Sequence, residues 1–324
     1  MDCEILEGED EGKVHRTVMV YSEISSSYVL IPRVGALIYV SPYHFTEYEA
    51  TMNFTGAQNS FNRVPGLIIL VVIFAVLVIL FARRQGFNTI LSLIVSCLAI
   101  FLVFIPAILS GHNIYLWTFI ISGYSIVVSL LLIVGANKKG LAAILGSFFG
   151  VLVSGLLAYI LNKALYITGK YDEDTTRIYE LFYNHGGINL PALIFAATTI
   201  GSLGAVLDIT LSLASSLKEV YDQSSEHSIR KTIKSGFVIG KDMVGTMTTT
   251  LILAYVGSSL SMVLYMFSHY PDSALLKQEI LAVAVLQAIV GSMALLFTIP
   301  ITSIVCALLY NKKEKKEELV SNEM

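Results

Sequence analysis

The 324-residue chain is 55% hydrophobic and only 14% charged, with a mean hydropathy of +0.72. These values exclude an ordinary soluble globular protein and indicate a polytopic membrane protein. The net charge of −3 is small, so the positions of the charges say more than their sum. The three cysteines form neither a disulfide framework nor a metal-binding cluster, and we expect no cofactor and no metal.

The first 63 residues differ in composition from the rest of the chain. They begin with an acidic run and then alternate polar residues with β-branched or aromatic ones. Short strands are predicted over Lys13–Glu23, Tyr28–Ile31 and Ala36–Val40, because proline and glycine interrupt the pattern between and after them. We therefore predict a small β-rich domain over residues 1–63.

Seven apolar stretches follow, each long enough to cross a hydrocarbon core of about 30 Å as a helix. They are Val64–Ala82, Phe87–Leu109, Ile114–Gly135, Leu141–Leu161, Asn189–Leu217, Met243–Phe267 and Ile280–Leu309. We predict an all-α polytopic domain of about seven transmembrane helices over residues 64–310, and a charged tail over residues 311–324. Because the spans leave no room for a large soluble catalytic domain, we expect the protein not to be an enzyme.

The loop lysines and arginines predict the orientation of the chain. Most of them fall on one side: Arg83, Arg84, Lys138, Lys139, Lys218, Arg230, Lys231, Lys234, Lys241, Lys312, Lys313, Lys315 and Lys316. The opposite loops hold Lys163, Lys170, Arg177 and Lys277. The richer side is expected in the cytoplasm, so the first domain would lie outside and the tail inside.

The predicted N-terminal domain raises a question of export, because the first residues lack the basic and apolar regions of a secretory signal peptide. Either the first apolar helix translocates the N-terminal segment, or the start is shortened and a preceding helix is missing. We favour the second explanation.

The fifth predicted span contains Asp208, the only formally charged residue inside any predicted span. At about 100° per residue, one helix face collects Ala197, Gly201, Gly204, Asp208, Ser212 and Ser215. A carboxylate facing lipid costs roughly 2.5–3.5 kcal/mol or more, so we expect it to turn inward towards a partner, a proton or a cavity.

The sixth predicted span has a similar polar face, formed by Asp242, Gly245, Thr246, Thr249, Leu253 and Gly257. If spans five and six pack antiparallel across a loop of about 25 residues, the two faces meet and the threonine hydroxyls come within reach of Asp208. Four glycines on these faces are predicted to mediate helix packing: Gly201, Gly204, Gly245 and Gly257. Span four offers a further close-packing pattern in Gly146-Ser-Phe-Phe-Gly150.

Two interpretations of this constellation remain open. In the first, Asp208 is a proton or cation site supported by Ser212, Ser215, Thr246 and Thr249. In the second, Asp208 is a buried acid satisfied by hydroxyl groups, and it fixes the register of two helices. Asp242 is the weaker candidate, because it follows Lys241 at the membrane surface and is also suited to a helix start.

Two motifs carry a resemblance to a known family. The residues Gly201-Ser-Leu-Gly-Ala-Val-Leu-Asp and Ile239-Gly-Lys-Asp-Met-Val-Gly-Thr resemble the YibE/F family of bacterial multi-pass membrane proteins. The likeness is closest over Pro191–Ser259 and looser over residues 64–309. The family pattern has Asn near Thr249 and Arg near Lys241, so this chain departs from it at both positions.

The resemblance implies a permease-like architecture in a bacterial inner membrane but no established activity. Our leading hypothesis is secondary transport of a small solute or ion, with Asp208 as the coupling group. The alternative is a non-transporting scaffold or assembly subunit that pairs with a sister YibE/F protein or with itself. The expected surroundings are the lipid bilayer, and no nucleic-acid partner is expected.

Overall fold

The computed structural model describes residues 2–4, 6, 14–20, 38, 41–42, 54–57, 62–170, 173–183, 187–224, 228–269 and 277–311. The strands are β1 (Asp2–Glu4), β2 (Val14–Val20), β3 (Ser41–Pro42) and β4 (Phe54–Ala57). The helices are α1 (Val64–Ala99), α2 (Ile105–Leu109), α3 (Ile114–Ile133), α4 (Lys138–Ala164), α5 (Glu173–Tyr183), α6 (Leu190–Gln223), α7 (Ile229–Ser258), α8 (Leu260–His269) and α9 (Glu279–Asn311).

The strands form a small sheet in the order β1-β2-β4-β3. β2 pairs antiparallel with β1 and parallel with β4, and β3 pairs antiparallel with β4. The predicted segment 28–31 and most of 36–40 lie outside the described residues, as does the charged tail beyond Asn311. Four short strands do not establish a β-rich domain, so that domain and its location outside the cell stay predictions.

The chain divides into two compact units, residues 1–81 and 82–324. α1 runs through the boundary, and inside it Arg83 leaves the helical conformation with φ of 49° and ψ of −123°. The stretch predicted as a turn between spans one and two therefore contains a kink at Arg83, with helix on either side of it. The described residues contain six helical segments long and apolar enough to cross a membrane, the first being the kinked 46-residue segment Val64–Leu109, so the count of seven spans is not supported.

Pro106 distorts the end of this first segment. Residues Ile100–Phe104 form a π-helical turn in which the Ile105 N–H donates to the Ile100 carbonyl. Proline has no N–H to continue an α-helical ladder, so a wider turn directly before it is a low-cost solution. Pro106 is thus accommodated by the π turn directly before it.

Three helices of the second unit begin at an asparagine whose side chain caps the first turn. Asn113 accepts from the Leu116 N–H at 3.2 Å and Asn137 from the Gly140 N–H at 2.8 Å. Asn189 accepts from the Ala192 N–H at 3.0 Å, as its position before Pro191 predicts. The start of α6, and hence the phase of its faces, is fixed by this cap.

Hydropathy located the polar ends of the other helices less well. The predicted loop between spans five and six is mostly helical, since only residues 224–228 lie between α6 and α7. The predicted sixth span is also interrupted at Ser259, where α7 ends and α8 begins. Hydropathy detects only the apolar part of a helix, and α6 and α7 both extend into polar sequence. The polar segment between α4 and α6 contains the short helix α5.

Helices α4, α6 and α9 form the core of the second unit, with α3 and α7 packed against them. Two glycines of α4 let α9 approach closely: Gly146 lies against Thr302, and Gly150 lies against Thr298 and against Val206 of α6. Hydroxyl pairs join α4 to α6, with Ser147–Thr210 at 2.6 Å and Ser154–Ser202 at 2.7 Å. The close packing predicted from Gly146-Ser-Phe-Phe-Gly150 is confirmed.

A second pair of glycines places α7 against the other side of α9. Gly236 lies against Ser303 and Leu217, and Gly240 lies against Ile299. A β-carbon at Gly240 would stand 3.1 Å from the Ile299 Cδ1 and closer still to its Cγ2. Glycines spaced by four residues on α4 and on α7 therefore hold α9 between them.

One end of this bundle is basic. The contacts Gly146–Thr302, Gly236–Leu217 and Tyr310–Ala214 bring together the start of α4, the end of α6, the start of α7 and the end of α9. The cations at this end include Lys138, Lys139, Lys218, Arg230, Lys231 and Lys234. At the other end, the Glu279 carboxylate accepts from the Thr168 N–H and hydroxyl, both at 2.7 Å, and from the Gly169 N–H at 2.6 Å.

Candidate functional site

The candidate site lies on α6, whose inner face is fully packed. The inner residues are buried: Phe195, Thr199, Ser202, Val206, Ile209, Thr210, Leu213 and Leu217. The small residues that allow close packing against this face belong to the neighbouring helices: Gly150 of α4 packs against Val206, and Gly291 of α9 lies beside Ser202. α6 can therefore present large side chains inward without glycines of its own there.

The outer face of α6 carries the predicted stripe. Gly201, Gly204 and Asp208 are exposed, while Ser212 and Ser215 are partly buried. Asp208 makes no hydrogen bond or ion pair with any described residue. The expectation that the acid turns into the bundle is therefore not met within this chain.

Asp208 lies well inside the span. It is ten residues from Lys218 and eighteen from Leu190, which correspond to about 15 Å and 27 Å at the rise of an α-helix. A position 15 Å from the basic end places the carboxylate near the middle of a hydrocarbon core about 30 Å thick. Its charge is thus not within easy reach of interfacial water.

α7 lies beside α6 in the antiparallel direction, as the sequence predicts. Near one end of the pair, the Tyr255 hydroxyl stands 2.7 Å from where a β-carbon of Gly201 would lie. Near the other end, Leu217 lies 3.2 Å from the corresponding position at Gly236. The two helices have the same rise per residue and run in opposite directions. Counting along them from these two contacts places Asp208 at the same depth as residues 245–248 of α7.

The predicted hydroxyls of α7 are at the right depth but face elsewhere. Thr246 and Thr249 are exposed, and they donate to carbonyls of their own helix: Met243 at 3.0 Å and Gly245 at 2.8 Å. Neither reaches Asp208. Asp242 is likewise exposed, without an ion pair to any described residue. The roles of these residues in binding stay predictions.

Among the described residues, one of the four glycines predicted to pack has a close neighbour. A β-carbon at Gly201 would meet Tyr255, whereas no described neighbour lies within 4 Å of one built at Gly204, Gly245 or Gly257. All three of these glycines are exposed. If they mediate packing, their partner is outside the described part of this chain.

Sequence reasoning missed residues that matter on α7. Gly236 and Gly240 pack against α9, and their spacing in Gly236-Phe-Val-Ile-Gly240 was a readable signal. Thr248 has a hydroxyl oxygen that is buried and has no hydrogen-bond partner among the described residues. It is level with Asp208, but no sequence pattern separates it from its neighbours Thr249 and Thr250.

The described residues offer no alternative centre for metal chemistry, since no group of three or more His, Cys, Asp or Glu side chains comes together there. A cavity of about 230 Å³ lies at the basic end, lined by Val220, Tyr221, Ser224, Lys231, Thr232, Lys234 and Ser235. Asp208 does not line it.

The fold and this site define a polytopic α-helical membrane protein with an unpaired acid on an outer helix face. A family model described as YibE/F-like protein matches residues 70–312, which is well over half of the chain. The chain therefore belongs to the YibE/F-like family, and the match includes α6, α7 and every candidate site residue. Comparison with curated proteins and with solved structures gives no match.

Proposed function

We propose that this protein is a secondary transporter of a small ion or solute, with Asp208 as the group that couples transport to a proton or cation. The observation that carries the proposal is the carboxylate itself, exposed in the membrane interior without a partner in the described chain. An ionised carboxylate facing lipid costs roughly 2.5–3.5 kcal/mol or more, so Asp208 is stable there only with a bound proton, a bound cation or a covering partner.

The neighbourhood supplies oxygen ligands of the kind that hold a small cation. Ser212 and Ser215 follow Asp208 on the same face, one and two turns towards the basic end, and both are partly buried. Thr246 and Thr249 stand at about the same depth on α7. Hydroxyl and carboxylate oxygens suit hard cations as well as protons, so Asp208 with Ser212 is the centre of the proposed site.

A carbodiimide tests this proposal without knowledge of the substrate. N,N′-Dicyclohexylcarbodiimide reacts with protonated carboxyls in apolar surroundings, and mass spectrometry of the full-length protein in lipid would locate the adduct. We expect labelling of Asp208, slowed by Na⁺, K⁺ or Li⁺ if a cation competes with the proton. The variant D208N should lose the adduct and any transport or growth phenotype, whereas D222N, at an exposed acid of α6 that pairs with Lys218, should keep both.

Two results would overturn the proposal. One is a transport or growth phenotype unchanged in D208N at equal membrane expression. The other is an Asp208 that resists the carbodiimide at every pH and in every cation, because such a group takes up no proton from its surroundings.

The second candidate function is a non-transporting assembly subunit. It is favoured by a specific observation, namely that Gly204 and Gly245 are exposed glycines with nothing within 4 Å. A stoichiometric sister protein that copurifies, together with the absence of solute flux in liposomes, would support this candidate over transport. We propose no catalytic role for Asp208, because no hydrogen bond joins it to a second acid among the described residues.

We also propose that the basic end of the bundle, including the end of α9, faces the cytoplasm. Reporter fusions after Asn311 test this orientation: cytoplasmic fluorescence is expected, and an active periplasmic reporter at that position would reverse the assignment. The same fusions placed after residue 63 test the predicted external location of the first domain.

A further inference from the structure

The outer faces of the neighbouring helices α6 and α7 differ from the rest of the bundle exterior. We call it the outer seam and define it by Gly201, Gly204, Asp208, Gly245, Thr246 and Thr249, all of them exposed. Elsewhere at this depth the exposed side chains are large and apolar, such as Phe148 and Phe149 on α4. The outer seam instead offers glycine backbone, hydroxyls and a carboxylate.

α7 is poorly suited to face lipid alone. Its most apolar 18 residues have a mean hydropathy of 1.2, the lowest of the six membrane-competent segments, yet only 6% of them are buried. In α6 and α9, which are more apolar at 1.9 and 2.4, the buried shares are 56% and 44%. The least apolar segment is thus among the most exposed, which indicates that a further surface covers it.

The glycines point the same way. Gly146, Gly150, Gly236, Gly240 and Gly291 all stand where a neighbouring helix approaches closely. Gly204 and Gly245 would allow an equally close approach, but no neighbouring helix among the described residues lies within 4 Å of a β-carbon built at either position. Helices in lipid associate largely through such small residues, so two unoccupied glycines within about two turns of each other form a packing surface suited to another helix.

This sequence supplies two candidates to cover the outer seam: residues 67–81 of α1, and the outer seam of a second copy of the protein. Their hydrogen-bonding chemistry differs. Residues 67–81 of α1 are apolar throughout, so they offer no donor to a carboxylate. A second copy of the outer seam offers threonine hydroxyls. A twofold axis along the membrane normal keeps every residue at its own depth, and Asp208 is level with residues 245–248, next to Thr249.

We propose that two copies of this protein pair through the outer seam about such an axis, with Asp208 of each copy accepting hydrogen bonds from Thr246 and Thr249 of the partner subunit. Gly204 and Gly245 allow the backbones to approach. Threonine in a helix occupies two rotamers, so a hydroxyl that now donates to its own helix can turn to an external acceptor. This pairing does not depend on whether Asp208 couples transport.

Energy transfer between labelled full-length copies in liposomes, diluted with lipid, measures the pairing. We expect a dimer for the native protein, weakened about threefold to twentyfold by T246V/T249V through lost interhelical hydrogen bonds. G204L should weaken it at least as much, because leucine would hold the backbones apart. The control F149L changes a side chain at the same depth on α4, and it should leave the dimer intact.

Cross-linking gives a positive signal for the pairing, so a variant that fails to fold is not mistaken for one that has lost the dimer. Differently tagged copies carrying G204C and L253C, which lie at about the same depth, should form a disulfide-linked pair upon oxidation once the three native cysteines are replaced, whereas F149C should not. The proposal is overturned if the native protein stays monomeric at every lipid dilution, if G204L and F149L behave alike, or if the cross-link forms only to a different protein.

Discussion

The two faces of α6 use small and polar residues in opposite ways. On the inner face, Ser202 and Thr210 are bonded to hydroxyls of α4, and Val206 lies against Gly150. On the outer face, Gly204 has no neighbour and Asp208 no partner among the described residues. The glycines that allow close packing against the inner face of α6 belong to neighbouring helices, whereas Gly204 of α6 itself packs against no other helix among the described residues.

This difference shows what a small-residue stripe means in a membrane protein. It marks a face where another backbone can come close, but it does not say whether that backbone belongs to the same chain. The inner face was completed within the chain by α4 and α9. The outer face, by the reasoning above, is completed by a second copy.

The largest expected effect is from Gly150→Val on the inner side. A β-carbon there would lie 2.8 Å from the Val206 Cγ1 and closer to the Thr298 hydroxyl oxygen, so α4 must move away from two helices. We expect the free energy of unfolding, measured by SDS titration in dilute mixed micelles, to decrease by about 1–3 kcal/mol, with a value near the upper limit. Gly204→Val on the outer face is the control and should change it by less than about 0.5 kcal/mol. Equal losses in both variants would erase the distinction between the faces.

A pair of substitutions on α7 sharpens the comparison within one helix. Gly240→Ala places a methyl group against Ile299, and the free energy of unfolding should fall by about 1 kcal/mol or more. The methyl group of Gly245→Ala contacts no described neighbour, so the higher helix propensity of alanine should raise the free energy of unfolding by about 0.5–1 kcal/mol. Thermal unfolding in detergent gives the ranking directly, and a Gly240→Ala protein as stable as Gly245→Ala would contradict the observed packing.

Much of this architecture could be predicted from the sequence because the signals are local. The Asn189 cap with Pro191, the close-packing pattern at Gly146 and Gly150, and the antiparallel neighbours α6 and α7 follow from capping chemistry and residue spacing. Residues 70–312 also match the YibE/F-like family model, as the resemblance of the α6 and α7 motifs predicts.

The inward direction of α6 could not be predicted, because both of its faces offer a plausible contact. Apolar residues surround Asp208 in sequence, and only the glycines of α4 and α9 show that Val206 and its neighbours point inward. The number of spans failed for a similar reason: Arg83 interrupts α1 at one residue where a polar turn was expected. Both errors concern choices settled by tertiary contacts or a single backbone angle.

A smaller effect is expected from the hydroxyl pair between α4 and α6. Ser202 donates to the Thr199 carbonyl at 2.8 Å, so Ser154 is the donor in their 2.7 Å bond. A double-mutant cycle with S154A and S202A should give a coupling of about 0.6 kcal/mol, typical of hydroxyl bonds between membrane helices. On the outer face, T249V should barely change the stability of the monomer, because that hydroxyl bonds only to its own helix. A coupling of zero would show that the inner pair contributes packing alone.

An effect of opposite sign concerns a buried hydroxyl of α9. Thr302 is fully buried, and its oxygen has no hydrogen-bond partner among the described residues, while Thr298 one turn earlier donates to the Ala294 carbonyl at 2.6 Å. Replacing an unsatisfied buried hydroxyl by a group of the same shape is nearly neutral or stabilising, so T302V should keep or raise the free energy of unfolding by up to about 1 kcal/mol. The matched variant T298V breaks a bond that exists and should lower it by about 0.5–1 kcal/mol. Both side chains face glycines of α4, so steric effects are similar in the two variants. A T302V protein less stable than T298V would mean that the Thr302 hydroxyl is satisfied in the membrane by water, and that the inner face of the bundle is wetter than its packing indicates.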